Sequence, residues 1–133
     1  MLTSNALKIA LFLACAGHVA ACSSGRDVEV TGEVIAPASA RVQGAIQLDF
    51  LDVAGEGETP SVVQTLKLDA PGAFSQTVSL AGTDVIVRAI NDKDGNAACS
   101  LGEAWAQAQA KIGEDGKVAP LVLTLSATSC PTN

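Results

Sequence analysis

Val28-Glu29-Val30-Thr31-Gly32-Glu33-Val34 sets valines at 28, 30 and 34 among acids, threonine and glycine. Successive side chains of a strand point to opposite sides, so apolar residues at period two line one buried face and leave the other wet. The stretch predicts a half-buried β-strand, ended by Ala36-Pro37-Ala38-Ser39-Ala40. Similar short runs follow at regular spacing. In Gly44 to Val53, Ile46, Leu48 and Phe50 share a face, then Leu51 and Val53 take the other, which predicts a bulge or crossover near Phe50-Leu51. The exposed loop Gly55-Glu56-Gly57-Glu58-Thr59-Pro60 leads into a third run, Val62 to Leu68, closed by the turn Asp69-Ala70-Pro71-Gly72. Phe74 to Leu80 alternates Phe74, Gln76, Val78 and Leu80 with serine and threonine, and Ala81-Gly82-Thr83-Asp84 turns the chain.

Val85-Ile86-Val87-Arg88-Ala89-Ile90 is apolar on both faces apart from Arg88, as a central strand should be. Ala104 to Ala110 is ambiguous in composition, since alanine favours helix. Its strict alternation, with no helical stripe, predicts a strand whose small residues lie under a neighbouring sheet. Gly113-Glu114-Asp115-Gly116 reads as a hairpin turn, and Val118 to Leu125 supplies the seventh run. Seven strands in about a hundred residues predict an all-β, antiparallel β-sandwich, immunoglobulin-like or transthyretin-like. Its core is light in aromatics, with only Phe50, Phe74 and Trp105 beyond residue 21. Trp105 is either a core plug or an exposed recognition aromatic.

The N-terminus follows another logic. Lys8 precedes an apolar run from Ile9 to about Ala21, with small residues before a cysteine in Val19-Ala20-Ala21-Cys22. This is the layout of a cleaved secretory signal peptide. It is too short for a transmembrane helix, which needs roughly 20 apolar residues, because Ser23-Ser24-Gly25-Arg26-Asp27 follows at once. A cysteine directly after the small residues resembles the lipobox of bacterial lipoproteins. Cys15, the rival position, is preceded by Phe12-Leu13-Ala14 and would leave a shorter apolar core. The resemblance implies acylation of Cys22 and a division into signal peptide (1–21), lipidated cysteine with a short tether (22–27) and β-sandwich (28–133). It also implies location in the cell envelope, held by acyl chains. Ser23, rather than aspartate, resembles lipoproteins delivered to the outer membrane of Gram-negative cells.

Cleavage before Cys22 would remove Lys8 and leave seven cations against 14 acids, a net charge of −7. Such a chain is repelled by phosphate backbones, so nucleic-acid binding is not expected. His18, the single histidine, would leave with the signal, and the chain has no tyrosine. Without histidine, neither a Ser-His or Cys-His nucleophile pair nor a His-ligated zinc site can be built. The strand and loop carboxylates Glu29, Glu33, Asp49, Asp52, Glu56 and Glu58 read as solvated charges. An enzyme is not expected, nor is a small-molecule substrate. With Cys22 given to lipid, Cys99 and Cys130 remain; they form either a disulfide, as an oxidising compartment favours, or two free thiols.

One segment has the residue types for ion chemistry. In Asp92-Lys93-Asp94-Gly95-Asn96-Ala97-Ala98-Cys99-Ser100-Leu101-Gly102-Glu103, oxygen-bearing side chains occupy positions 1, 3, 5 and 12 of a twelve-residue window. That spacing lets one loop wrap a calcium ion. It resembles the calcium loops of EF-hands and, more closely, the strand-flanked loops in B-type repeats of bacterial surface adhesins. The resemblance implies calcium bound by the side chains of Asp92, Asp94, Asn96 and Glu103 and by the carbonyl of Ala98. Ala97 departs from the pattern where glycine usually supplies a positive-φ turn, and Lys93 lowers the negative charge. The competing reading is a polar inter-strand turn. The functional expectation is a membrane-anchored, non-catalytic structural or protein-interaction module with an envelope protein as partner. The alternatives are a pilotin-like secretion or assembly chaperone and a calcium-dependent adhesion module.

Overall fold

A computed structural model describes residues 25–130; the expected signal peptide and Cys22 lie outside the described residues. Seven strands follow in chain order: β1 (Arg26–Ile35), β2 (Ile46–Val53), β3 (Ser61–Leu68), β4 (Ala73–Leu80), β5 (Asp84–Ile90), β6 (Trp105–Lys111) and β7 (Leu121–Thr124). A single 3-10 turn, Ala38–Ala40, interrupts the path from β1 to β2. The strands form two sheets, β4-β1-β7 and β3-β2-β5-β6. The all-β sandwich expected from the alternation is the fold observed. Its strand order differs from that of an immunoglobulin constant-type domain, in which the first, second, fifth and fourth strands share a sheet.

All ladders are antiparallel except β1–β7, which is parallel, Gly32 facing Leu121 and Ile35 facing Thr124. This corrects the expected hairpin after β6. The turn at Gly113–Gly116 forms, closed by Gly113 N–H to the Lys117 carbonyl (2.9 Å) and Gly116 N–H to the Gly113 carbonyl (3.0 Å). Beyond it the chain crosses to the other sheet instead of returning along β6. The expected irregularity at Phe50-Leu51 is a register shift of the β2–β3 ladder: Phe50 faces Gln64, Leu51 faces Val62, and Val63 is the extra residue.

Between the sheets lie Val28, Val30 and Val34 of β1, Ile46, Leu48 and Phe50 of β2, Val85 and Val87 of β5, and Leu121 and Leu123 of β7. Ala106, Ala108 and Ala110 pack against this core, as the alternation of β6 requires. Phe50 and Phe74 meet edge to face across the sandwich, ring centroids 6.2 Å apart at 71°, an arrangement worth about 0.5–1.5 kcal/mol beyond area burial. The Phe74 ring lies directly over Gly32: a Cβ there would stand 2.7 Å from Phe74 Cζ and 2.4 Å from the Leu121 carbonyl oxygen.

The outer face of the four-stranded sheet is partly covered, which the alternation does not predict. Leu51, Ile86 and Ile90 point away from the core and are buried, because the chain before β3 and after β5 folds back over them. Asp49 and Asp52, expected in solvent, are also buried. Asp49 accepts bonds from Gln47 Nε2 (3.1 Å) and Thr65 Oγ1 (2.9 Å). Asp52 accepts from the N–H groups of Ala81 and Gly82, both at 2.9 Å, and so latches the β4–β5 turn. A buried carboxylate is tolerated where such donors replace water.

Candidate functional site

The segment between β5 and β6 is the oxygen-rich window of the sequence. β5 ends at Ile90, and Asn91, the next residue, is fully buried and fixes where the loop departs. Its Nδ2 donates to the carbonyls of Gln43 (2.8 Å) and Ala45 (3.1 Å), and its Oδ1 accepts from Gln43 N–H (3.1 Å). The Asn91 N–H donates to the Ala104 carbonyl, closing the loop at its base (2.9 Å).

Inside the loop two carboxylates gather backbone amides. Asp92 Oδ1 accepts from Gly95 and Asn96 N–H (2.9 and 3.2 Å), and Oδ2 accepts from Ala97 N–H (2.8 Å). Glu103 is 3% exposed. Its Oε1 accepts from Lys93 and Asp94 N–H (2.7 and 3.3 Å), and its Oε2 from Ser100 N–H (2.8 Å). Asn96 is exposed and bonds within the loop, its Oδ1 accepting from Ala98 N–H (2.9 Å) and its Nδ2 donating to Ser100 Oγ (2.8 Å). Asp94 is exposed, and the Ser100 hydroxyl, followed by the Asn96 amide, holds its carboxyl below the usual carboxylate range.

Carboxylate oxygens of Asp92, Asp94 and Glu103 all lie within 4.8 Å of one another. Ligand oxygens stand about 2.3–2.6 Å from calcium, so two of them on one ion can be at most ~5 Å apart. These three carboxylates therefore fit a shared hard cation, and they could hold a metal ion. The alternation of the window thus brings together Asp92, Asp94 and Glu103. It leaves the Asn96 carbonyl committed to the Ala98 amide within the loop.

Ala97 adopts φ +60°, and Gly95 and Gly102 lie at +74° and +84°. The left-handed turn expected of glycine is therefore made by alanine, at a cost of roughly 1–2 kcal/mol. Two bonds hold it there: its N–H to Asp92 and its carbonyl, which accepts from Gln47 Nε2 at 3.2 Å. Gln47 is a supporting residue that the sequence pattern misses. Between Ile46 and Leu48 it has the period-two position of a wet residue, and only the loop folded over β2 buries it.

Cys99 and Cys130 form a disulfide, Cα atoms 5.7 Å apart and 31 residues apart in sequence. The C-terminal segment is held beside the loop by two further links. Trp105 and Ser126 exchange both backbone bonds at 3.0 Å, and Trp105 Nε1 donates to the Ser129 carbonyl at 3.0 Å. Trp105 is half-buried and alternates with the inward Ala106. It is neither a core plug nor free in solvent: it sits near the bridge, on the outer face, as an anchor for the C-terminal strap.

No protein-family model matches the chain, and neither does any curated protein or solved structure compared with it.

Proposed function

We propose that this chain is an envelope lipoprotein, anchored through acylated Cys22, whose β-sandwich is a non-catalytic protein-interaction module. The observation that supports an interaction role is the free edge of β3. Among the described residues this strand pairs only with β2, and beside the bulge it leaves Val62 and Val63 54% and 42% exposed. An unpaired edge offers a row of backbone donors and acceptors, and extended segments are captured by adding a strand to such an edge. A groove lined by Leu51, Pro60, Val62, Ile86 and Arg88 crosses the outer face of the same sheet and reaches β3 at Val62. The same device would serve a secretion or assembly chaperone.

Two measurements test the anchor and the role. Cys22→Ser should shift the protein from the membrane to the soluble fraction or block its processing. Normal cleavage with undiminished membrane retention would refute the lipid anchor. Crosslinking from the edge should recover one dedicated envelope protein, and recovery of bulk lipoproteins alone would count against an interaction module.

A second reading, a calcium-dependent adhesion module, is favoured by the convergence of Asp92, Asp94 and Glu103. These residues would hold the ion, and calcium would cross-brace the loop by neutralising three adjacent carboxylates. The expected affinity is that of extracellular modules, a Kd of about 10⁻⁴–10⁻³ M. Calorimetric titration with calcium should then give saturable heat that disappears in Asp94→Ala; an absence of heat in the unaltered protein ends this reading.

A further inference from the structure

We infer which end of the sandwich faces the lipid, an inference that rests on acylation of Cys22. Only Ser23 and Ser24 separate Cys22 from Gly25, and the steps across them span at most ~11 Å even fully extended. Gly25 is packed against β4, where a Cβ would stand 2.6 Å from Ser79 Oγ and 3.2 Å from Leu80 N. The tether therefore leaves from a defined place at the start of β1.

Register carries that position around the molecule. Arg26 faces Leu80, and the turn after Leu80 is latched by Asp52. Asp84 faces both Val53 and Lys111, and the backbone of Lys117 lies beside that of Glu29 as an isolated parallel pair. The loop 54–60 and the turn 113–117 consequently lie at the anchored end. Opposite lie Ile35, which bonds Leu125, and Ile90, which faces Trp105, with the Asp92–Glu103 loop and the disulfide beyond them. The ten residues of β1 span about 30 Å between these ends at ~3.3 Å per residue.

A tether of ~11 Å is too short to bring the far end to the bilayer unless the domain lies flat. Headgroup charge does not choose between the poses, because Asp27, Glu29 and Glu33 on the three-stranded sheet are matched by Glu56, Glu58, Glu114 and Asp115 at the anchored end. The attachment of the tether at the very start of β1 favours standing on that end. The domain stands on its 54–60 and 113–117 loops. The carboxylate loop and the disulfide are presented away from the lipid, and the β3 edge runs upright along the side. Partners thus approach from the far end and the flank.

The chain's single tryptophan makes this measurable, because Trp105 is a far-end residue. The probe is resonance energy transfer from tryptophan to dansyl-phosphatidylethanolamine. The sample is full-length lipidated protein in phosphatidylethanolamine/phosphatidylglycerol vesicles, recovered by flotation. Glu58→Trp, in an exposed anchored-end loop, should add transfer several-fold greater than that of Trp105 alone, and Glu114→Trp gives a second near-end probe should loop 54–60 be disturbed. Equal or greater transfer from Trp105 would mean a flat or inverted domain and overturn the inference. Floating protein with no transfer at any position would also overturn it, by placing the domain beyond the tether's reach. Protein that fails to float, or Cys22→Ser protein that floats equally well, would instead show that the lipid anchor itself is wrong.

Discussion

Replacing Cys99 and Cys130 together by serine lowers folding stability by roughly 3–4 kcal/mol in the chain-entropy account of a loop this long. For a domain of about this size that corresponds to a fall in Tm of roughly 15 °C. The bridge joins residues 31 apart in sequence, so its loss frees a long segment of the unfolded chain. It also removes a link between the C-terminal strap and the Asp92–Glu103 loop. The native fold survives, because the Phe50, Phe74 and valine core does not include the cysteines. Urea denaturation with and without reductant provides the measurement. Matching midpoints for the oxidised and the serine-substituted proteins would show that the bridge contributes nothing to stability.

Gly82→Ala destabilises the domain by about 3 kcal/mol or more, at the upper end for added core volume. A Cβ at this position would stand 1.9 Å from the Val53 carbonyl oxygen, 2.5 Å from its carbon and 2.8 Å from Asp52 Oδ1. The obstacle is backbone of β2 in the middle of the four-stranded sheet, which cannot rotate aside as a side chain can. Moving the turn instead breaks the two 2.9 Å bonds through which Asp52 satisfies Ala81 and Gly82. Gly57→Ala is the control. Its φ of +77° is also left-handed, but a Cβ there meets nothing within 4 Å, so only the conformational cost of about 1–2 kcal/mol applies. A Gly82→Ala midpoint in urea no lower than that of Gly57→Ala would refute the steric account.

The strands were legible because period two is a local signal: Val28, Val30 and Val34, or Leu121, Leu123 and Leu125, reveal their buried face without reference to partners. The bulge opposite Phe50-Leu51 was legible for the same reason, as a change of phase in the alternation. Strand pairing was not. Whether the chain after Gly116 returns beside β6 or crosses to β1 depends on which apolar faces remain unburied once the sheets stack. A turn motif carries no information about that.

The carboxylate site divides in the same way. Spacing alone singles out Asp92, Asp94 and Glu103, and the alanine at 97 foretells an unfavourable φ, since residue type and loop length limit how an oxygen-rich turn can close. The support beneath it, Gln47 bonding Ala97 from a strand fifty residues earlier and Asn91 binding Gln43 and Ala45, exists only where the loop lies on β2. Asp49 and Asp52 make the point for charge. In sequence they are polar residues on an alternating strand, and only tertiary folding removes their water and replaces it with Thr65, Gln47 and the amides of Ala81 and Gly82.

By itself the sequence determined a sandwich of seven strands, the positions of its cysteines and the chemistry of one loop. These follow from side-chain period, residue type and short-range spacing. The tertiary structure decided which strands are neighbours, which carboxylates are buried, that Cys99 and Cys130 lie within bonding distance, and that β1 begins at the end opposite the acidic loop. Such facts depend on contacts between residues far apart in the chain, where burial and hydrogen bonding are set by the packed whole.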